Sequence, residues 1–167
     1  MDVKVIFEYV TLFGSFNFIF YSSLFIFSIF FIFFLLSGNN NFFKKFILPF
    51  FISVIVTTVL VYFSKIFFGV VGPPDRVLYE TDYSFPSGHT AGAFIFFSSL
   101  YYLLSKKIKS NNKKLFFFLF TFLIILLVSV SRLVLGVHYI TDIAGGLVFG
   151  LFGLLLNMFV YNLLNKK

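Results

Sequence analysis

A chain of 167 residues that is 60% hydrophobic, 11% charged and has a mean hydropathy of +1.03 carries too little polar surface for a water-soluble domain and too much apolar content for a disordered one. Its apolar runs are continuous rather than alternating, which argues against a transmembrane β-barrel and leaves a single all-α membrane domain over residues 1–167. There is no cysteine, and with two histidines there is little from which to build a metal cage, so neither disulfide, metal nor cofactor is expected.

Residues 1–12 mix Asp2, Lys4 and Glu8 with Val5, Ile6, Phe7 and Val10, a pattern that suits an interfacial helix. Five spans follow, over about residues 13–36, 46–68, 87–104, 115–130 and 142–164. Each is long enough to cross a hydrocarbon core of about 30 Å, the shortest with help from its flanks. The first run, Phe13 to Leu36, is longer than the apolar region of a signal peptide and no small-residue cleavage site follows it. Phe fills 31 positions and reads as lipid-facing filler rather than an aromatic binding surface.

Charge assigns the two sides. Residues 37–45, residues 105–114 and the C-terminus hold nine lysines and no acid. The other side holds Lys4, Lys65, Arg76, Arg132 and all six acids. The positive-inside rule places the lysine-rich side in the cytoplasm, so the formal charge of +7 reports topology and not nucleic-acid binding.

Both histidines and both arginines fall on the opposite, outer side. Phe85-Pro86-Ser87-Gly88-His89-Thr90 opens the third span. A turn into a helix start directs free N–H groups and the positive helix end at an anion, Gly88 allows close approach, and His89 at the edge can donate a proton. The same residues equally suit a plain turn and helix cap. Ser131-Arg132 closes the fourth span, and His138 and Asp142 stand four residues apart before the fifth. If that stretch is helical the two share a face, and the carboxylate can hold one imidazole nitrogen while the other attacks. The plainer alternative is a capping Asp142 and a snorkelling Arg132. Lys65, near the outer end of the second span, reads alone as a snorkelling lysine.

Taken together these residues resemble the motifs of the type 2 phosphatidic acid phosphatase (PAP2) superfamily: K-x6-R-P, then P-S-G-H, then S-R-x5-H-x3-D. Pro86 to His89 match the second motif in full, and Ser131, Arg132, His138 and Asp142 match the third. Lys65 and Pro73 match the first, but Gly72 stands where that motif has arginine. The motifs lie between residues 65 and 142, and the likeness in architecture spans about 46–164; members commonly have six spans, so the first is missing here. The resemblance implies a PAP2-like core in a bundle of about five transmembrane helices. It implies that His138 attacks phosphorus with Asp142 holding its tautomer, and that His89 protonates the leaving oxygen. It implies that Lys65, Arg132, Ser87 and Gly88 cradle the phosphoryl oxygens without a metal. Arg76, four residues beyond the missing arginine, is the expected substitute.

The resulting expectation is an integral-membrane lipid phosphatase whose site lies on the extracytoplasmic face, with the C-terminus in the cytoplasm. A polyprenyl diphosphate is the first candidate substrate; phosphatidic acid, phosphatidylglycerol phosphate and a lipid A phosphate are close rivals. The other classes are a lipid phosphotransferase using the same phosphohistidine and a non-catalytic lipid-binding homologue. Nothing in the sequence speaks to oligomeric state.

Overall fold

The computed structural model describes residues 3–37, 43–74 and 82–166. Among them are six α-helices and no strand: α1 (Val3–Thr11), α2 (Phe16–Ser37), α3 (Leu48–Phe68), α4 (Gly88–Ser105), α5 (Asn111–Val134) and α6 (Ile140–Asn165). A short 3-10 turn, Leu12–Gly14, joins α1 to α2, and a π-helical turn, Phe43–Ile47, leads into α3. The protein is an all-α membrane bundle. The short amphipathic α1 packs against α5.

Among the described residues, four helical segments are long and apolar enough to cross a membrane: Phe16–Leu36, Lys44–Phe68, Asn111–Val134 and Ile140–Asn165. Helix α4, the third expected span, is not among them although its 18 residues reach about 27 Å at 1.5 Å per residue. The reason is its position. It packs against α2, α3, α5 and α6, so it meets protein rather than lipid and buries Thr90, Ser98 and Ser99 beside Ala93, Ile95 and Phe96. Helix α5 is longer than the expected 115–130 because Ser110 caps its start and Lys113 and Lys114 extend it past the apolar run.

Helices α4 and α6 approach closely through glycine, as small-residue spacing in membrane helices allows. A Cβ on Gly146 would lie 2.7 Å from the Ser87 carbonyl oxygen and 2.9 Å from Thr90 Cβ. Gly150 sits against Phe94, Gly145 against the Phe85 ring, and Gly153 where Thr57 and Ile95 converge. Ala91 belongs to this contact, but Gly92 faces α2 and the turn before it, against Ile19 and Gly14. Buried Asn157 donates to Ser53 Oγ at 3.3 Å, a polar tie from α6 to α3 inside the bundle.

Phenylalanine divides between two environments. Many face outward, among them Phe25, Phe67 and Phe116, but Phe50 and Phe96 are core residues whose rings meet edge to face at 5.7 Å. At one end of the bundle Lys106 lies over the Tyr102 and Tyr161 rings and Lys107 over Phe46. The lysine-rich segments around residues 43–47 and 105–107 and the end of α6 therefore share one end, as the charge pattern requires. His89 lies at the opposite end of α4.

Candidate active site

The site forms where the ends of α3, α4, α5 and α6 meet. Helix α3 is stopped by Gly69, whose left-handed conformation (φ 59°) carries its N–H onto the Lys65 carbonyl at 3.0 Å. Lys65 in that last turn donates through Nζ to the Tyr83 carbonyl. Ser84 N–H bonds the Val70 carbonyl at 2.7 Å, so the chain after α3 is pinned to the chain before α4. The Phe85–Pro86 peptide is cis.

Ser87 then caps α4. Its Oγ accepts from Thr90 N–H at 3.4 Å, and its own N–H donates to the Asp142 carbonyl at 2.9 Å. Ser87 is fully buried, so its side chain serves as a helix cap and does not face the cavity. Gly88 lies beside the stem of Lys65: a Cβ there would stand 3.8 Å from Lys65 Cε. The second motif thus meets both the first, through Lys65, and the third, through Asp142.

The third motif is arranged differently from the expected helical face. Helix α5 ends at Val134, Gly136 turns the chain with φ 65°, and α6 starts only at Ile140. His138 precedes the helix. It reaches Asp142 because Asp142, in the first turn of α6, folds back over the helix start. One oxygen, Oδ2, accepts from Tyr139 N–H at 2.8 Å and meets His138 Nδ1 at 3.3 Å. The carboxylate therefore does two jobs, satisfying a free helix-start donor and holding the imidazole. Asp142 is 1% exposed.

A cavity of about 790 Å³ opens from this cluster. Lys65, Asp82, Gly88, His89 and His138 line one end of it. From there it runs as an apolar groove between α2 and α3, past Ile19, Val54 and Thr58 to Phe27 and Phe51, whose rings meet edge to face at 5.5 Å. The stretch of α3 from Lys65 to Phe51 measures roughly 21 Å at the helical rise. One cavity therefore joins a cationic and imidazole-lined head to an apolar trough at membrane depth.

Arg132 stands behind this wall with 0% exposure, its Nη1 donating to Thr11 Oγ1 at 2.8 Å. It lies within electrostatic range of His89, as do Lys65 and His138. Lys65, Gly88, His89 and His138 thus come together on the cavity wall, with Asp142, Ser87 and Arg132 immediately behind. Arg76 lies outside the described residues. Among the described residues no group of three or more His, Cys, Asp or Glu could hold a metal ion.

The sequence profile of the PAP2 superfamily matches residues 46–166. The chain belongs to that superfamily. Among solved structures, it is similar to the first transmembrane PAP2-type phosphatidylglycerolphosphate phosphatase from Bacillus subtilis, at 27% identity and a TM-score of 0.75, covering 96% of this chain and 76% of that one. It is also similar to LpxE of Aquifex aeolicus, at 26% identity and a TM-score of 0.66, covering 93% and 85%. No curated protein matches the chain.

Two site residues escape the PAP2 motifs. Thr11 lies before residue 46, and its partner is 121 positions away, so no local pattern announces it. Asp82 looks like one of several solvated loop acids in the sequence and lines the cavity head in the structure.

Proposed function

We propose that this PAP2 membrane protein hydrolyses a lipid phosphate or diphosphate through a phosphohistidine formed on His138. The observation that carries the reading is the single cavity in which the Asp142-held His138 meets His89 and Lys65 at the head of an apolar groove. The phosphate head of a membrane lipid fits the cationic end, and a hydrocarbon tail fits the trough between α2 and α3.

The chemistry runs in two halves. Asp142 holds Nδ1–H of His138, which leaves the Nε2 lone pair to attack phosphorus. The P–Nε2 bond forms as the bond to the lipid oxygen breaks, and His89 gives that oxygen its proton. Water then attacks phosphorus, His89 takes the water's proton, and the P–N bond breaks to release inorganic phosphate. Lys65 and Arg132, with N–H groups at the start of α4, supply fixed positive charge for the equatorial oxygens. The released products are phosphate and the lipid alcohol, or the monophosphate when a diphosphate enters.

A polyprenyl diphosphate remains the first candidate, with phosphatidic acid, phosphatidylglycerol phosphate and a lipid A phosphate beside it. Similarity to a phosphatidylglycerolphosphate phosphatase supports keeping the third of these in the panel. The deciding experiment is phosphate release from purified lipids of these four kinds in detergent, with EDTA present. Turnover on at least one lipid, abolished in His138→Ala, is expected; no release from any lipid, or release only after Mg²⁺ is added, overturns the proposal.

The site faces the extracytoplasmic side and the lysine-rich end faces the cytoplasm in this reading. The chain has no cysteine, so Ser110→Cys gives a clean label site at the lysine-rich end. It is expected to react with an impermeant reagent only after the membrane is opened; labelling in intact cells inverts the orientation.

A further inference from the structure

The N-terminal segment lies outside the part of the chain that the superfamily profile matches, yet it touches two of the three motifs. Thr11, the last residue of α1, is 5% exposed and accepts a hydrogen bond from Arg132 Nη1 at 2.8 Å. Three residues later Gly14 sits so close to α4 that a Cβ on it would fall 2.5 Å from the His89 carbonyl oxygen and 2.6 Å from Val128 Cγ1 of α5. The segment is therefore wedged between the helix that carries His89 and the helix that carries Arg132. Helix α1 packs along α5, which fixes Thr11 over the guanidinium.

We infer that Thr11 is a positioning residue for phosphate binding: its hydroxyl fixes the Arg132 guanidinium immediately behind the wall that carries His89 and His138, from where its donors reach a phosphate bound in the cavity. The physical need is clear. A guanidinium is a planar set of five donors whose value for an oxyanion lies in its angle as much as in its charge. An arginine side chain carries several rotatable bonds, and fixing them before the anion arrives lowers the entropic cost of binding it. A hydroxyl is neutral, so it accepts one N–H without cancelling the positive charge that the phosphate requires. A carboxylate at the same place would compete with the phosphate for the fork. The small Thr11 hydroxyl suits this task, and the amphipathic α1, unable to span the membrane, acts as its mount. This inference rests on the reading of Arg132 as a phosphate ligand.

The test compares Thr11→Val, which keeps the shape and loses the acceptor, with Thr11→Ser, which keeps the acceptor. Three quantities are read on the full-length protein in detergent: KM for the best lipid substrate, the inhibition constant of orthovanadate, and the melting temperature with and without orthovanadate. Loss of one charge-assisted hydrogen bond should raise both KM and the vanadate constant about tenfold in Thr11→Val. Thr11→Ser should stay within threefold of the unaltered protein in both. A purely structural Thr11 would lower the melting temperature or the active fraction of Thr11→Val while leaving KM and the vanadate constant unmoved, and that result overturns the inference. So does equal weakening in the Val and Ser variants. If the unaltered protein releases no phosphate from any lipid, the enzymatic reading fails, and the vanadate-induced rise in melting temperature still compares the variants. Absence of that rise in the unaltered protein removes Arg132 as an anion ligand and the inference with it.

Discussion

Replacing Asp142 with Asn separates the two tasks of one carboxylate. Oδ2 of Asp142 accepts from Tyr139 N–H at 2.8 Å and holds His138 Nδ1 at 3.3 Å. An asparagine carbonyl oxygen can still accept from Tyr139, and Asn serves helix starts about as well as Asp. What it loses there is a favourable charge–dipole term of about 0.3–1 kcal/mol. Stability should therefore fall by about 1 kcal/mol or less. The imidazole fares worse. The same amide oxygen, kept on Tyr139, still faces His138 Nδ1, because one oxygen of the carboxylate serves both groups, so the tautomer survives. What disappears is the negative charge. The imidazolium-like charge that builds up during attack loses its anion, worth about 1.5–3 kcal/mol for a charge-assisted hydrogen bond. That is roughly 10 to 10² in kcat at 1.36 kcal/mol per tenfold. The assay is phosphate release at saturating lipid beside a thermal melt of the same sample. A folded Asp142→Asn protein that keeps more than half of the normal kcat would refute the argument that the Asp142 charge stabilises the imidazolium.

Other expectations concern neighbouring parts of the site. His89→Ala should leave slow labelling of His138 by a substrate with a good leaving group, because that oxygen needs no proton, while turnover of the lipid stops; label on His89 in His138→Ala would reverse the two roles. Gly146→Leu should lower thermal stability and activity together, since a side chain there collides with the Ser87 carbonyl and Thr90, and an unchanged protein would show that α4 and α6 do not meet as described. Arg76→Ala should lower kcat/KM about 100-fold if Arg76 takes the place that Gly72 leaves empty of charge, with partial return on adding Gly72→Arg; turnover within twofold ends that idea.

Much of the site could be read from sequence because its chemistry is locally encoded. Ser87 to Thr90 is a helix start, and His138 and Asp142 lie four residues apart, so short-range rules brought both into view. The pairing was right for a reason that was not. The bond between His138 and Asp142 comes from a side chain folding back over a helix start, which hydrophobic periodicity does not distinguish from a helical face. The role expected for Ser87 was harder still, since a serine before a helix serves as a cap or as a ligand depending on where its side chain is buried. Thr11 was invisible: its importance arises from a contact across 121 positions, and nothing about a threonine at the end of an amphipathic segment marks it. The apolar groove belongs to the same class. It exists because α2 and α3 stand apart over α4, and packing of that kind leaves no trace in composition.

The polar make-up of α4 has a consequence for how the protein is made. Hydropathy governs whether a helix partitions into lipid as it emerges, and α4 is the one long helix that falls short of its neighbours in this respect. Alone in a bilayer it would expose Thr90, Ser98 and Ser99 to hydrocarbon, a cost that α3, α5 and α6 remove once they surround it. Its burial is therefore complete only when later helices pack on it, α6 above all, whose glycines let it approach closely. His89 and His138 sit at the starts of those two helices, and they are joined by the Ser87 to Asp142 backbone bond. Site assembly thus waits for α6, and a nascent chain truncated before α6 holds a stranded helix in the membrane with no half-built hydrolase on it.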